Sequence, residues 1–151
     1  MKIAIGSDHA GFGLKERIKQ FLKENKYHFE DFGAASDEAS DYPDFAKRVA
    51  EAVLGGFDLG ILICGSGIGM SMAANKFPGI RAAFCMNAEL AKAGREDNNA
   101  NILTLGARFI DEATAKKTVK VFLEAKFIGE ERHVRRLKKL AEFETIFMAR
   151  R

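Results

Sequence analysis

A Rossmann-like three-layer α/β/α fold with a five-stranded parallel sheet is what this sequence predicts, on three observations. Short β-branched apolar runs alternate with stretches of helical periodicity along the chain. The run from Leu59 to Cys64 is apolar throughout, as a parallel strand covered on both faces must be. The chain has 151 residues, 47% of them apolar, which fits one compact domain spanning residues 1–151.

The elements follow in order. Lys2 to Gly6 reads as the first strand and Ser7 to Gly11 as the turn after it. Leu14, Ile18, Phe21 and Leu22 then recur at helical spacing between lysines and glutamates. Tyr27 to Phe32 is the second strand, and Gly33 to Asp41 a polar loop. Asp41 is placed to cap the next helix, Pro43 suits its first turn, Phe45, Val49 and Val53 form its apolar stripe, and Gly55-Gly56 ends it. After the Leu59–Cys64 strand come a glycine loop and an apolar helix from Ser71 to Phe77. Ile80 to Met86 gives the fourth strand, Asn87 to Glu96 a helix, and Asn101 to Leu105 the fifth strand. Asp111 caps a helix carrying Ala115, Val119, Phe122 and Leu123. The last helix, about 130–149, places Val134, Leu137, Leu140, Ala141 and Ile146 near one face, an apolar stripe suited to packing on a partner subunit.

Composition excludes several function classes. A formal charge of +3 is too small to argue for nucleic acid. Two cysteines make no disulfide framework and suit a reducing compartment. The N-terminal run lacks the apolar core of a signal peptide, and no run has membrane-spanning length. A cytoplasmic protein is expected.

In a parallel α/β sheet the loops after the strands' carboxyl ends form the site. That rule gathers Asp8, His9, the Cys64–Gly69 loop, Asn87 onward and Gly106-Ala107-Arg108 on one rim. Gly65-Ser-Gly-Ile-Gly69 is neither the dinucleotide fingerprint nor a P-loop. Its backbone N–H groups, before a helix, suit an anion or a developing oxyanion, whereas the bland account is tight strand-to-helix packing. Cys64, at the mouth of that loop, is placed to ionise easily, while Cys85 reads as a small buried hydrophobe and Met70 as core. Asp8 and His9 fit either a helix cap or the site. Asn98-Asn99 suits either a solvated loop or hydroxyl recognition. Arg132, His133, Arg135 and Arg136 fit either a solvated basic face or a phosphate clamp.

These pieces resemble the ribose-5-phosphate isomerase B family, which also includes the galactose-6-phosphate isomerase subunits. The resemblance rests on Gly6-Ser-Asp-His-Ala-Gly11, Asp41-Tyr-Pro43, Ile63-Cys-Gly-Ser-Gly67, Ala73-Ala-Asn-Lys76 and Gly79-Ile-Arg-Ala82. Asn98-Asn-Ala-Asn-Ile-Leu103, Gly106-Ala-Arg108 and Arg132-His133 with Arg136 extend it to about Leu137. It implies an aldose–ketose isomerase with no metal and no cofactor, acting on ribose 5-phosphate and ribulose 5-phosphate. Cys64 would be the base between C1 and C2. One branch of the family uses a glutamate at the position of Met70, so this chain follows the cysteine branch. The N–H groups of Gly65, Ser66, Gly67, Ile68 and Gly69 would stabilise the enediolate, with Ser66 hydrogen-bonding it. Asp8 and His9 would contact sugar hydroxyls or assist ring opening, and Tyr42 would line the pocket. Asn98, Arg108, Arg132, His133 and Arg136 would bind the phosphorylated sugar, some from a second subunit of a homodimer or homotetramer with shared sites. No nucleic-acid or membrane partner is implied.

One departure bears on activity. The residue before Asn98, a histidine credited with ring opening in the family, is Asp97 here. An exposed aspartate, with a reference pKa of about 3.9, accepts a proton but rarely donates one, though burial raises that value. Three readings follow: an isomerase in which Asp97, or Asp8 with His9, opens the ring; an isomerase of a six-carbon sugar phosphate; and a sugar-phosphate-binding relative without turnover.

Overall fold

The computed structural model describes residues 1–149. Its elements are β1 (Lys2–Ser7), α1 (Phe12–Glu24), β2 (His28–Asp31), α2 (Tyr42–Leu54), β3 (Leu59–Cys64), α3 (Ile68–Ala74), β4 (Ala82–Phe84), α4 (Ala88–Glu96), β5 (Ile102–Gly106), α5 (Glu112–Glu124) and α6 (Glu131–Met148). The five strands pair in parallel in the order β2-β1-β3-β5-β4. The chain leaves β1 toward β2 and returns on its other side to β3, so β1 and β3 flank the point where the strand order reverses. In open α/β sheets the ligand crevice lies outside the carboxyl ends of such strands.

Both faces of the sheet are covered, which is why β3 and β5 are buried at every position. One apolar layer joins Ile3, Ile5, Ile61, Ile63 and Leu103 to Ile18 and Leu22 of α1, Ala91 of α4, and Val119 and Phe122 of α5. The opposite layer sets Ala4, Leu62 and Ile102 against Val49 of α2 and Met70 and Ala74 of α3. Met70 is wholly buried, as core.

Three boundaries differ from the sequence expectation, each for a local reason. The expected 80–86 strand contracts to Ala82–Phe84, because the Ile80 N–H donates to the Phe77 carbonyl and the Arg81 N–H to Asn101 Oδ1. The helix expected from Ser71 begins at Ile68, so Gly69 is helical. Asp41 occupies the N-cap of α2, but its side chain makes no capping hydrogen bond. Asp111 does accept the Thr114 N–H at 2.9 Å.

Lys15 ties the rim together. Its side chain is 1% exposed, and an ammonium that deep needs partners. Nζ stands 2.7 Å from Asp31 Oδ2 and 2.7 Å from the Ala34 carbonyl. Burial would raise the Asp31 carboxyl, but hydrogen bonds from Lys15, Lys19 and the Gly33 N–H outweigh it and hold it below its ordinary value. The polar loop after β2 therefore leaves a fixed anchor beside the end of β1.

Candidate active site

A cleft of about 220 Å³ opens at the β1/β3 crevice, lined by Asp8, His9, Tyr42, Cys64, Ser66 and Arg108, together with Ala10, Gly65 and Gly69. Cys64 ends β3, and its Sγ accepts the Gly67 N–H at 3.1 Å. The three alternate glycines serve three different needs. Gly65 lies under the Arg108 guanidinium, where a Cβ would stand 2.9 Å from one of its nitrogens. Gly67 turns the chain into α3 at φ +79°, a conformation that L side chains rarely adopt. Gly69 lies against the Tyr42 ring, which an added Cβ would approach to 2.9 Å. The glycine loop is thus shaped to seat an arginine and a tyrosine around the thiol.

Two of the loop's N–H groups are already occupied: Gly67 donates to Cys64 Sγ and Ile68 to Ser66 Oγ at 3.3 Å. The loop after β5 is fixed to this one by Ala107 N–H to the Cys64 carbonyl, 2.8 Å, and Arg108 N–H to the Gly65 carbonyl, 3.0 Å. An exposed cation is thereby presented beside the thiol on a rigid support.

Asp8 and His9 are held differently. Asp8 Oδ1 accepts the Gly11 N–H at 3.0 Å and is buried, so it fixes the turn before α1 alongside its place in the cleft. It does not cap the helix, whose N-cap Gly11 has no side-chain partner. The His9 N–H donates to Ser40 Oγ at 3.1 Å, and the ring Nδ1 stands 3.2 Å from both the N and the O of Ser40. Ser40 escaped the sequence reading, which took residues 33–41 as a polar loop. The strand order contains the signal: β2 borders β1, so the loop after β2 must lie beside the turn after β1.

The remaining sequence candidates gather elsewhere. Asp97, Asn98, Arg132, His133 and Arg136 do not line this cleft. Asp97 Oδ1 stands 3.6 Å from His133 Nε2, and Glu130 Oε2 stands 3.8 Å from the same nitrogen. Arg132 pairs with Glu130 at 2.8 Å. Asn98 lines a separate groove with Leu140 and Phe143 of α6. Asn101 is structural, bracketing Gly79 and Arg81 through its side-chain amide.

Cys85 is inert, its thiol pushed up to about 11 by burial. A larger cleft, about 590 Å³, lies at the opposite rim and includes Arg81 and Arg95. Arg81 donates to the carbonyls of Gly79 and Asn99, and Arg95 to those of Ala100 and Ala125, so these guanidiniums fasten loops and helix ends.

The family model described as Ribose/Galactose Isomerase matches residues 3–140. The chain is 44% identical over 144 residues to ribose-5-phosphate isomerase B of Escherichia coli, covering 95% of this chain and 96% of that one. It is also 44% identical over 146 residues to a putative sugar phosphate isomerase of Bacillus subtilis, covering 95% and 97%. Among solved structures, ribose-5-phosphate isomerase B of Clostridium thermocellum superimposes with a TM-score of 0.95 at 51% identity, covering 97% of this chain and 99% of that one. The type B enzyme of Trypanosoma cruzi gives 0.92 at 42%, covering 96% and 99%.

Proposed function

The chain belongs to the ribose/galactose isomerase family, and from that premise we propose that it interconverts ribose 5-phosphate and ribulose 5-phosphate by proton transfer at Cys64. The observation that carries this reading is the placement of Cys64 Sγ in the crevice cleft, beside one backbone donor, one arginine and one imidazole.

The chemistry has two parts. The furanose must first open: the proton on O1 leaves, C1=O1 forms, the bond from C1 to the ring oxygen breaks, and that oxygen takes a proton. His9 lines the cleft with Cys64, and an imidazole can both take and release a proton near neutrality, so His9 is the group assigned to this step. In the open aldose, the Cys64 thiolate takes the proton from C2. The C2–H electrons become the C1=C2 bond, and the charge moves onto O1, giving the enediolate. A proton passes from O2 to O1, and the Cys64 thiol, after exchange with solvent in the open cleft, gives a proton to C1, leaving the ketone at C2. A C–H beside a carbonyl is a weak acid, so positioning of the base and stabilisation of the oxyanion carry most of the rate. Ser66 Oγ and the Arg108 guanidinium are the cleft's polar groups nearest that task, and Tyr42 closes one side.

The active unit is a homodimer or homotetramer with shared sites. Asp97, Asn98, Arg132, His133 and Arg136 of one copy complete the cleft of another, where Arg132, His133 and Arg136 hold the phosphate, and α6 packs on the partner. Two observations support this. These residues lie off the cleft of their own chain, and Leu140, Phe143 and Ile146 of α6 are about half exposed although Glu144 fixes the helix to the Gly79 N–H. Among the described residues no helix is long and apolar enough to cross a membrane, and the unpaired state of Cys64 and Cys85 suits the cytoplasm.

Turnover on a panel of pentose and hexose phosphates tests the substrate: ribose 5-phosphate is expected to give the highest kcat/KM, and a six-carbon phosphate in that place would overturn the assignment. Subunit mixing tests the sharing. Cys64→Ala and Arg136→Ala variants, each inactive, are expected to recover about a quarter of wild-type activity when mixed, unfolded and refolded together. Half of the dimers are then mixed, and one of the two sites in each is intact. No recovery would contradict sharing.

A further inference from the structure

We propose that Ser40 is a positioning residue for ring opening: it clamps the His9 imidazole through both of that ring's protonation states, leaving Nε2 free to work in the cleft. The proposal rests on the isomerase reading above and adds a residue to it. The ring Nδ1 lies 3.2 Å from the Ser40 N and 3.2 Å from the Ser40 O. A neutral ring with its proton on Nε2 accepts the Ser40 N–H. A ring carrying a proton on Nδ1 donates to the Ser40 carbonyl. Most side chains that hold a histidine favour one tautomer and release the other. A backbone N–H and C=O of one residue, placed at the same nitrogen, serve both.

The third contact, from the His9 N–H to Ser40 Oγ at 3.1 Å, fixes the backbone from which the ring projects. Nε2 has no hydrogen-bond partner among the described residues, and His9 lines the Cys64 cleft. The other titratable groups around that cleft are Asp8 on the same turn, Tyr42 from α2, Cys64 from β3 and Arg108 after β5. Asp8 is engaged with the Gly11 N–H.

With the proton on Nδ1, Nε2 takes the proton from O1 of the furanose as C1=O1 forms. The resulting imidazolium then gives the Nε2 proton to the ring oxygen as its bond to C1 breaks. Nδ1–H stays on the Ser40 carbonyl throughout, so the ring need not turn. The histidine ends as it began, and no other reactant is consumed. The loop that carries Ser40 is anchored at its start, where Lys15 binds the Ala34 carbonyl and the Ala34 N–H donates to the Ser7 carbonyl.

The test separates ring opening from enolisation. Ribulose 5-phosphate cannot close a five-membered ring, because its O5 carries the phosphate, so exchange of its C1 proton with solvent needs no ring opening. Ser40→Ala is expected to slow ribose 5-phosphate consumption at saturation by about 10-fold or more, as displacement of a catalytic group does. The same variant keeps C1 exchange on ribulose 5-phosphate within about twofold, and Ser40→Thr, which restores the hydroxyl, recovers the lost rate. An unchanged ribose 5-phosphate rate, or an equal loss in both assays, would overturn the positioning role. A wild-type enzyme that did not convert ribose 5-phosphate at all would instead overturn the isomerase reading itself. If Ser40→Ala fails to fold, nitrogen-15 signals of His9 in the unaltered protein decide. Nδ1 is expected to be hydrogen-bonded in both the neutral and the charged ring, and a solvent-exposed Nδ1 in either state would overturn the clamp.

Discussion

Replacing Cys64 with alanine is expected to lower kcat for ribose 5-phosphate by about 10³-fold or more, at the upper part of the range for a positioned acid–base group. KM should change little, because the groups assigned to binding remain. The variant removes one sulfur atom from a residue that is 4% exposed, so the fold loses little: a transfer cost of about 1 kcal/mol. Melting near the wild-type temperature together with lost turnover is therefore the expected pair of results, read by thermal unfolding and a coupled ketose assay. Retention of more than about a tenth of the wild-type rate would remove Cys64 as the base. Cys85→Ala serves as the contrast. Its thiol lies in the α4/α5 layer and takes no part in the cleft, so turnover should survive.

Gly67→Ala has the second large effect, and it reaches the same atom from the backbone. At φ +79° an L residue is strained by roughly 1–2 kcal/mol. The new Cβ would stand 2.7 Å from the Phe84 ring and 2.8 Å from the Leu105 carbonyl carbon, and such overpacking adds about 1–3 kcal/mol. The sum, about 2–5 kcal/mol, lowers the melting temperature by roughly 5–20 °C for a chain of this size. The Gly67 N–H is also the donor on Cys64 Sγ, so any relief of the clash moves that donor. Turnover of the folded fraction is expected to fall by about 10²-fold, as for a displaced catalytic group. A variant with wild-type melting and turnover would show that the loop is not held as the geometry requires. Gly13→Ala is the control, since nothing lies within 4 Å of its Cβ position.

Much of this site was legible in the sequence because it depends on chain order. Asp8, His9 and Cys64 follow apolar runs that could only be parallel strands, so their common rim came from the rule that such strands present their carboxyl ends together. The glycine spacing was legible too, but its reasons were not. Gly65 and Gly69 answer to Arg108 and Tyr42, which are remote in sequence and meet the loop only once β3 and β5 pair and α2 packs. The start of α3 was misplaced for a related reason. Helical periodicity is invisible across Ile68-Gly69, and the left-handed Gly67 that begins the helix leaves no mark distinct from a loop glycine.

Asp97 illustrates the other limit. Read along the chain, it stands where the family's ring-opening histidine is expected. In three dimensions its carboxylate addresses His133 on α6, and the imidazole in the Cys64 cleft is His9. A linear motif gives no account of which imidazole faces which cleft. Ser40 was silent for the same reason, since two of its three contacts to His9 are made by its backbone.

The most direct test of the account is the fate of hydrogen at C1 when ribose 5-phosphate is converted in deuterium oxide. Proton transfer through an enediolate predicts that deuterium from solvent enters C1 of ribulose 5-phosphate, and that this incorporation disappears in Cys64→Ala. Full turnover with no solvent label at C1 would mean that hydrogen passes between the carbons without reaching a solvent-exchanged thiol. Label that persists at the wild-type rate in Cys64→Ala would place the base elsewhere, and either result would contradict the assignment of proton transfer to Cys64.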